Sequence, residues 1–380
     1  MPSHRPRLLF AALALPLCAL LAACAGPGYY VQAIEGQLGV MHHTRTIDAI
    51  LQDPAADPAL KKRLAYVLKA RAFASRELAL PDNRSYRRYA DLQRPYVTWT
   101  VIATPELSLQ PVRWCFLVAG CVPYRGYFSQ QRAQDFATRL QRDGDDVYVA
   151  GVAAYSTLGW FSDPLPSPVL RRSDVEVAGI IFHELAHQEL YLRGDSAFNE
   201  SFATTVEIEG VRRWLQAGTA TSAATPTDQV QTLHAYLQDK QRHEEFVALL
   251  LKHRAQLQTL YASSLPDAEK RARKARVLRD LKQDYQTLKL SWGGYAGYDH
   301  WVDQSLNNAH LSAVGLYQRY VPAFQALLAE QHGDLPQFYT TVRKLSQLPA
   351  TERADKLHSL ACEGRRNLLS TTAITRDPGC

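Results

Sequence analysis

The pattern of apolar and polar positions changes period along this chain, and each change marks an element. Val31 to Leu51 and Ala59 to Ala79 place apolar side chains at helical spacing, with a loop over Asp53 to Asp57 between them. From Tyr96 to Ala103 the run Y-V-T-W-T-V-I-A is β-branched and aromatic and predicts a strand. Ser129 to Asp143 returns to helical spacing and stops at Gly144. Asp146 to Tyr155, D-V-Y-V-A-G-V-A-A-Y, predicts a second strand that runs through Ser156 and Thr157 into a proline-rich loop. Beyond it the chain reads as almost wholly helical: Val175–Tyr191, Ala197–Ala217, the long charged stretches Asp228–Ala262 and Pro266–Leu290, then about 299–363. The two long helices suit a hairpin with their charges on exposed faces. A small-residue linker at Gly218–Thr227 and a glycine-rich break at Ser291–Gly297 punctuate this half. The fold class expected is α+β, mostly helical.

The helix at Val175–Tyr191 holds the chemistry. His183-Glu184-Leu185-Ala186-His187 puts two imidazoles four residues apart, one turn along the same face. That spacing lets both bind one zinc ion, with Glu184 beside the metal as general base. Asp174 is a candidate N-cap, and Gly194 a stop signal. By contrast, His243-Glu244-Glu245-Phe246 lacks a second histidine and reads as a solvated face. Catalytic zinc needs a third protein ligand. Glu200, 13 residues after His187, would supply it if a turn at Arg193–Ser196 folded the next helix back. It is also where a helix N-terminus favours an acid, with Asn199 as cap. Glu207, seven residues on, is either a hydrogen-bond partner for a ligating histidine or an exposed acid.

The amino terminus adds a location. Arg5 and Arg7 precede the apolar stretch Leu8–Leu21, then Leu21-Ala22-Ala23-Cys24. This resembles a bacterial lipobox, whose cysteine is lipidated and becomes the new N-terminus; the alternative is an ordinary cleavage site. Ala25, rather than aspartate, favours the outer membrane facing the periplasm. No later stretch reaches the roughly 18 apolar residues of a spanning helix. Net charge is +6 over 380 residues and +4 without Arg5 and Arg7, which gives nucleic-acid binding little support. In an exported chain, Cys115 with Cys121 and Cys362 with Cys380 are candidate disulfides.

H-E-L-A-H-Q followed by F-N-E-S-F-A is similar to the gluzincin metallopeptidases. With the lipobox and the blocks W-C-F-x-x-A-G-C-x-P-Y-R-G-Y-F and A-A-Y-S-T-L-G-W-F, the chain resembles the bacterial predicted aminopeptidases, lipoproteins of the zincin-like group. The resemblance covers most of the mature chain. It implies a zincin-like core (a small mixed sheet plus the zinc helix), one zinc per chain held by His183, His187 and Glu200, and a peptide substrate. In zincins an edge strand pairs with the substrate backbone, which makes Tyr155, Ser156 and Thr157 candidates to line the cleft, unless that strand is internal. Gluzincins commonly stabilise the oxyanion with a tyrosine or histidine, and Tyr295, Tyr298 and His310 are candidates. The glutamate motif that holds a free amine in aminopeptidase N-type enzymes is not present. The expected divisions are 1–23 signal peptide, 24–90 tether and helices, 91–217 zincin-like core and 218–380 helical part. The expected activity is zinc-dependent peptide hydrolysis. Exopeptidase and endopeptidase action both remain open, as does a non-catalytic envelope lipoprotein that binds peptides or a protein partner. Oligomeric state is not readable.

Overall fold

The computed structural model describes residue 26 and residues 28–369, save 117–119, 155–161, 219–225 and 315–319. The described chain is α+β and mostly helical, with three small sheets, of which one is mixed. It divides into two compact units, each assembled from three segments, so the boundaries do not follow chain order. No described helix is long and apolar enough to cross a membrane.

The first unit takes in residues up to His43, Tyr96–Val152 and Val247–Val314. It opens with α1 (28–42). Strands β3 (Thr98–Pro105), β6 (Arg125–Tyr127) and β7 (Asp145–Val152) form an antiparallel sheet in the order β6-β3-β7, which leaves β7 at an edge. Strands β4 (Trp114–Phe116) and β5 (Gly120–Val122) pair as a hairpin with Cys115 opposite Cys121, and the two are bonded as expected. Helix α4 (Gln130–Arg142), N-capped by Ser129, packs on the sheet. The second part of α7 (Pro226–Ala262), α8 (Asp267–Ser291), α9 (Asp299–Val302) and α10 (Asn308–Val314) complete this unit. Lys252 and His253 of α7 both bond Asp284 of α8, so these segments run side by side. Asn308 fastens α10 to the turn after β3 through the carbonyls of Glu106 and Ser108.

The second unit holds Thr44–Pro95, Ala153–Phe246 and Gly315 onward. The single helix expected over Val31–Leu51 is interrupted. Thr44–Thr46 forms β1, and α2 (Ile47–Gln52) starts afresh with Thr46 as its cap. The β-branched threonines explain the break: an extended Thr46 lets its hydroxyl accept from Ala49 N–H, at 3.4 Å. β1 pairs antiparallel with β2 (Arg88–Ala90), which pairs parallel with β8 (Leu165–Pro166). A short 3₁₀ turn, Ser167–Arg171, leads to the helices that matter most.

Those helices are α3 (Pro58–Glu77), α5 (Asp174–Glu189), α6 (Ser196–Gln216), the first part of α7, α11 (Val321–Glu330), α12 (Leu335–Ser346) and α13 (Ala350–Leu369). Their shared core is rich in aromatics: Phe73 meets Phe182, and Phe202 stacks on Phe338 with ring centres 5.8 Å apart. At Gly210 of α6 a side chain would stand 2.7 Å from the Phe182 ring, so glycine lets α6 approach α5 closely. Buried Trp214 donates to Tyr66 Oη at 2.8 Å, and buried Arg71 donates to the carbonyls of Ser85 and Pro81, holding that loop.

Candidate metal centre

The cap of helix α5 lies one residue earlier than expected. Ser173 is the cap and makes a capping box: its hydroxyl accepts from Glu176 N–H, while Glu176 Oε2 accepts from Ser173 N–H at 2.9 Å. Asp174 is the first helical residue. The helix stops at Glu189, short of Gly194, because Leu190 turns extended. Gly194 sits in the connecting loop with φ of 86°. Asn199 does not cap α6. Asp195 does, accepting from Phe198 N–H at 3.1 Å. Asn199 lies inside the helix and pins the loop instead. It accepts from Leu192 N–H at 2.7 Å and donates to Leu192 C=O at 2.8 Å.

This short, braced loop folds α6 back against α5, and Glu200 comes to face both histidines. Glu200 Oε2 lies 3.4 Å from His183 Nε2, and its Oε1 3.6 Å from His187 Nε2. The two rings stand edge to face, 4.9 Å apart. Among the described residues these three form the one group able to hold a metal ion, with donor atoms within 4.8 Å of one another. Good hydrogen bonds between such atoms are shorter, near 2.7–3.0 Å. Zinc bound tetrahedrally at about 2.0–2.1 Å separates its ligand atoms by about 3.3–3.4 Å. Both contacts of Glu200 sit close to that spacing, and a two-imidazole, one-carboxylate set suits zinc.

Glu207 points the same way. Its Oε2 accepts from His183 Nδ1 at 3.1 Å, which leaves His183 Nε2 turned toward Glu200. Of the two readings open for Glu207, the exposed acid is ruled out, since its side chain is 9 % exposed. Its other oxygen, Oε1, accepts from Tyr236 Oη at 2.7 Å and from Lys240 Nζ at 2.6 Å. Both donors belong to α7, where the charge pattern suggested mostly exposed faces. Sequence reasoning therefore missed Tyr236 and Lys240. His243, read as part of a solvated face, is half-buried, and burial lowers its pKa.

Four acids, Glu184, Glu200, Glu207 and Asp163, act on one another in this pocket, with His183 and Lys240 as the cations beside them. Burial pushes the Glu184 carboxyl up to about 7; Glu200, Asp163 and Glu207 push the same way, against His183. Among the described residues that carboxylate makes no hydrogen bond. Burial would lower His183, but the bonds to Glu200 and Glu207 override it and raise the ring to about 10. Burial lowers His187 to about 4, with the charge of His183 adding to it. Burial would raise Glu207, yet Lys240 and His183 hold it far below the usual carboxylate range.

A family described as putative aminopeptidase matches residues 28–357. The chain belongs to the putative aminopeptidase family. No curated protein and no solved structure matches it.

The other candidate residues in this family member, Cys362 apart, belong to the first unit or lie outside what is described. Tyr295, Tyr298 and His310 belong to the first unit. Tyr295 and Tyr298 pack around Trp292, while His310 stacks on Tyr148 at 4.2 Å and meets Asn307 Oδ1 at 2.9 Å. Cys24 and the strand end at Tyr155, Ser156 and Thr157 lie outside the described residues. Cys362 is disulfide-bonded, and Cys380 lies outside the described residues. One tyrosine that went unnoticed is beside the cluster. Tyr191, 48 % exposed, has its ring 6.3 Å from that of His187, and burial together with the charge of Glu200 raises its hydroxyl pKa.

Proposed function

We propose that this member of the putative aminopeptidase family is a zinc-dependent peptide hydrolase of the bacterial cell envelope, with a zincin-like core, anchored through a lipid on Cys24 at the outer membrane and facing the periplasm. One observation carries the reading: His183 Nε2, His187 Nε2 and Glu200 converge at spacings suited to one zinc, with the unshared Glu184 carboxylate on the same helix. The family description supports a peptide as substrate and aminopeptidase action. The L-A-A-C run before Ala25 supports the anchor.

His183, His187 and Glu200 would hold the metal. Bound zinc supplies Lewis acidity, which polarises a carbonyl and acidifies water. Glu184 takes a proton from the attacking water onto its carboxylate and returns it to the amine nitrogen as the C–N bond breaks. Glu207 holds His183 by its far nitrogen, which fixes the ring's orientation. Gln188, one residue after His187, anchors the neighbouring loops: it accepts from Asn83 Nδ2 at 2.7 Å and donates to Asp163 Oδ2 at 3.4 Å.

The test is a metal assay joined to cleavage profiling on a mixed peptide library. One zinc per chain is expected, and Glu184→Gln should keep the zinc and lose cleavage. A Glu184→Gln variant with full activity would sink the mechanism. N-acetylated peptides should resist an aminopeptidase; if they are cut, the enzyme is an endopeptidase. An intact fold with no zinc would favour a non-catalytic, peptide-binding lipoprotein. Palmitate labelling that survives Cys24→Ser would remove the anchor.

A further inference from the structure

Glu207 divides its two oxygens between two helices. Oε2 receives His183 Nδ1 from α5; Oε1 receives both the hydroxyl of Tyr236 and the ammonium of Lys240 from α7. Tyr236 and Lys240 are four residues apart and so present to the same side, one turn apart. With one oxygen pinned by two donors, the carboxylate loses its freedom to rotate, and its other oxygen has one direction left. The seat is built for this group. Gly179, one turn before His183, is where a side chain would stand 3.2 Å from Glu207 Oε1 and 3.3 Å from Tyr236 Oη. Tyr236 is 5 % exposed and Glu207 7 %. A buried carboxylate without a nearby cation is costly. Lys240 removes that cost at the oxygen facing away from the histidine.

An imidazole ligand depends on whatever bonds its second nitrogen, for both its orientation and its basicity. We propose that Lys240 and Tyr236 are positioning residues of the metal centre, acting through Glu207 to aim His183 at the shared ligand point. This rests on the reading of His183 as a zinc ligand. Helix α7 is thereby part of the centre although it supplies no ligand.

The test measures zinc affinity of the full chain by chelator competition. The visible spectrum of the cobalt-substituted protein serves as a second readout of ligand geometry. Lys240→Met and Glu207→Gln should each weaken zinc about 10-fold, and Tyr236→Phe by less. Lys240→Arg, which keeps a cationic donor, should stay near wild type. In the double variant, Lys240→Met should add nothing to Glu207→Gln, because its effect passes through that carboxylate. Losses that add in the double variant overturn the proposal, as does unchanged affinity in Lys240→Met. If Lys240→Met fails to fold, Gly179→Ala decides: it leaves every ligand and donor in place but crowds the seat, and the cobalt spectrum should shift. An unshifted spectrum there overturns the proposal. A wild-type chain that binds no zinc defeats the ligand assignment itself, an outcome distinct from all of these.

Discussion

Helix α7 carries two lysines, twelve residues apart, that make outwardly the same arrangement. Lys240 donates to Glu207 at 2.6 Å, and Glu207 also takes a histidine, His183. Lys252 donates to Asp284 at 2.7 Å, and Asp284 also meets a histidine, His253, at 3.1 Å. Bond length does not separate them. Burial does: the first pair is 26 % and 9 % exposed, the second 59 % and 39 %. So does what lies beyond the histidine. His183 continues to Glu200 and the ligand cluster, whereas no described group able to hold a metal includes His253. A lysine, a carboxylate and a histidine become a device only where water is excluded and the ring has something to aim at.

The sharpest way to test this contrast is at the two His-Glu pairs. Glu184→Gln should lower peptide hydrolysis by about 10²–10⁴-fold with zinc content unchanged. Glu244→Gln, on α7, should leave the rate as it is. Equal losses in a steady-state peptide assay would erase the distinction. Next in size is stability. Glu207→Ala breaks a buried pair and should cost about 3 kcal/mol in urea unfolding. Lys252→Met, at the exposed pair, should stay within about 0.5 kcal/mol. If the two midpoints move together, burial is not what separates the pairs.

An intermediate case refines the comparison. Glu209, whose side chain is 13 % exposed, accepts from Arg212 Nη2 and Arg213 Nε, each at 2.6 Å. Burial would raise its carboxyl, but the two guanidiniums win and hold it below its ordinary value of 4.5. A folded-state pKa below the unfolded one gives stability that is complete above the unfolded value and lost as pH falls through the folded one. Wild type should therefore lose more stability than Glu209→Gln between pH 6 and pH 3. Urea midpoints at both pH values check it, and parallel declines would count against the assignment. A smaller loss is expected at Tyr236→Phe, which removes one of the two donors to Glu207 Oε1 and should cost about 1 kcal/mol in the same unfolding measurement.

Much of the second unit could be read from spacing. The four-residue interval of His183 and His187, and the position of Glu200 just after a short loop, already implied that the three side chains meet. Ser129 and Gly144 bracketed α4 as their chemistry predicts. The misreadings share a cause. Asp174 and Asn199 are good capping residues, but Ser173 and Asp195 hold the non-helical positions where a cap must sit, and only the backbone path reveals which. Tyr236 and Lys240 were invisible because α7 has charged residues all around it. No periodicity marks the two that turn inward, and the choice is made by a carboxylate 33 residues earlier. The break at Thr44–Thr46 was hidden likewise, since β1 exists through its pairing with β2, more than forty residues away.

The paired bonds of Asn199 to Leu192 carry a consequence for how fast a cation would enter and leave the proposed centre. They make the turn between α5 and α6 behave like a welded joint, and Arg353 adds a brace by donating to Asp195 at 3.0 Å. Residues that a cation would bridge are already held at their working separation by bonds that do not involve it. Their ordering entropy is lost during folding, so little remains to be lost on binding. Loading should then be a local event, with hydrogen-exchange protection across this turn nearly the same before and after. Asn199→Ala would release the joint: the entropy loss would move to the binding step, and capture of the ion would slow while its donor set stayed complete.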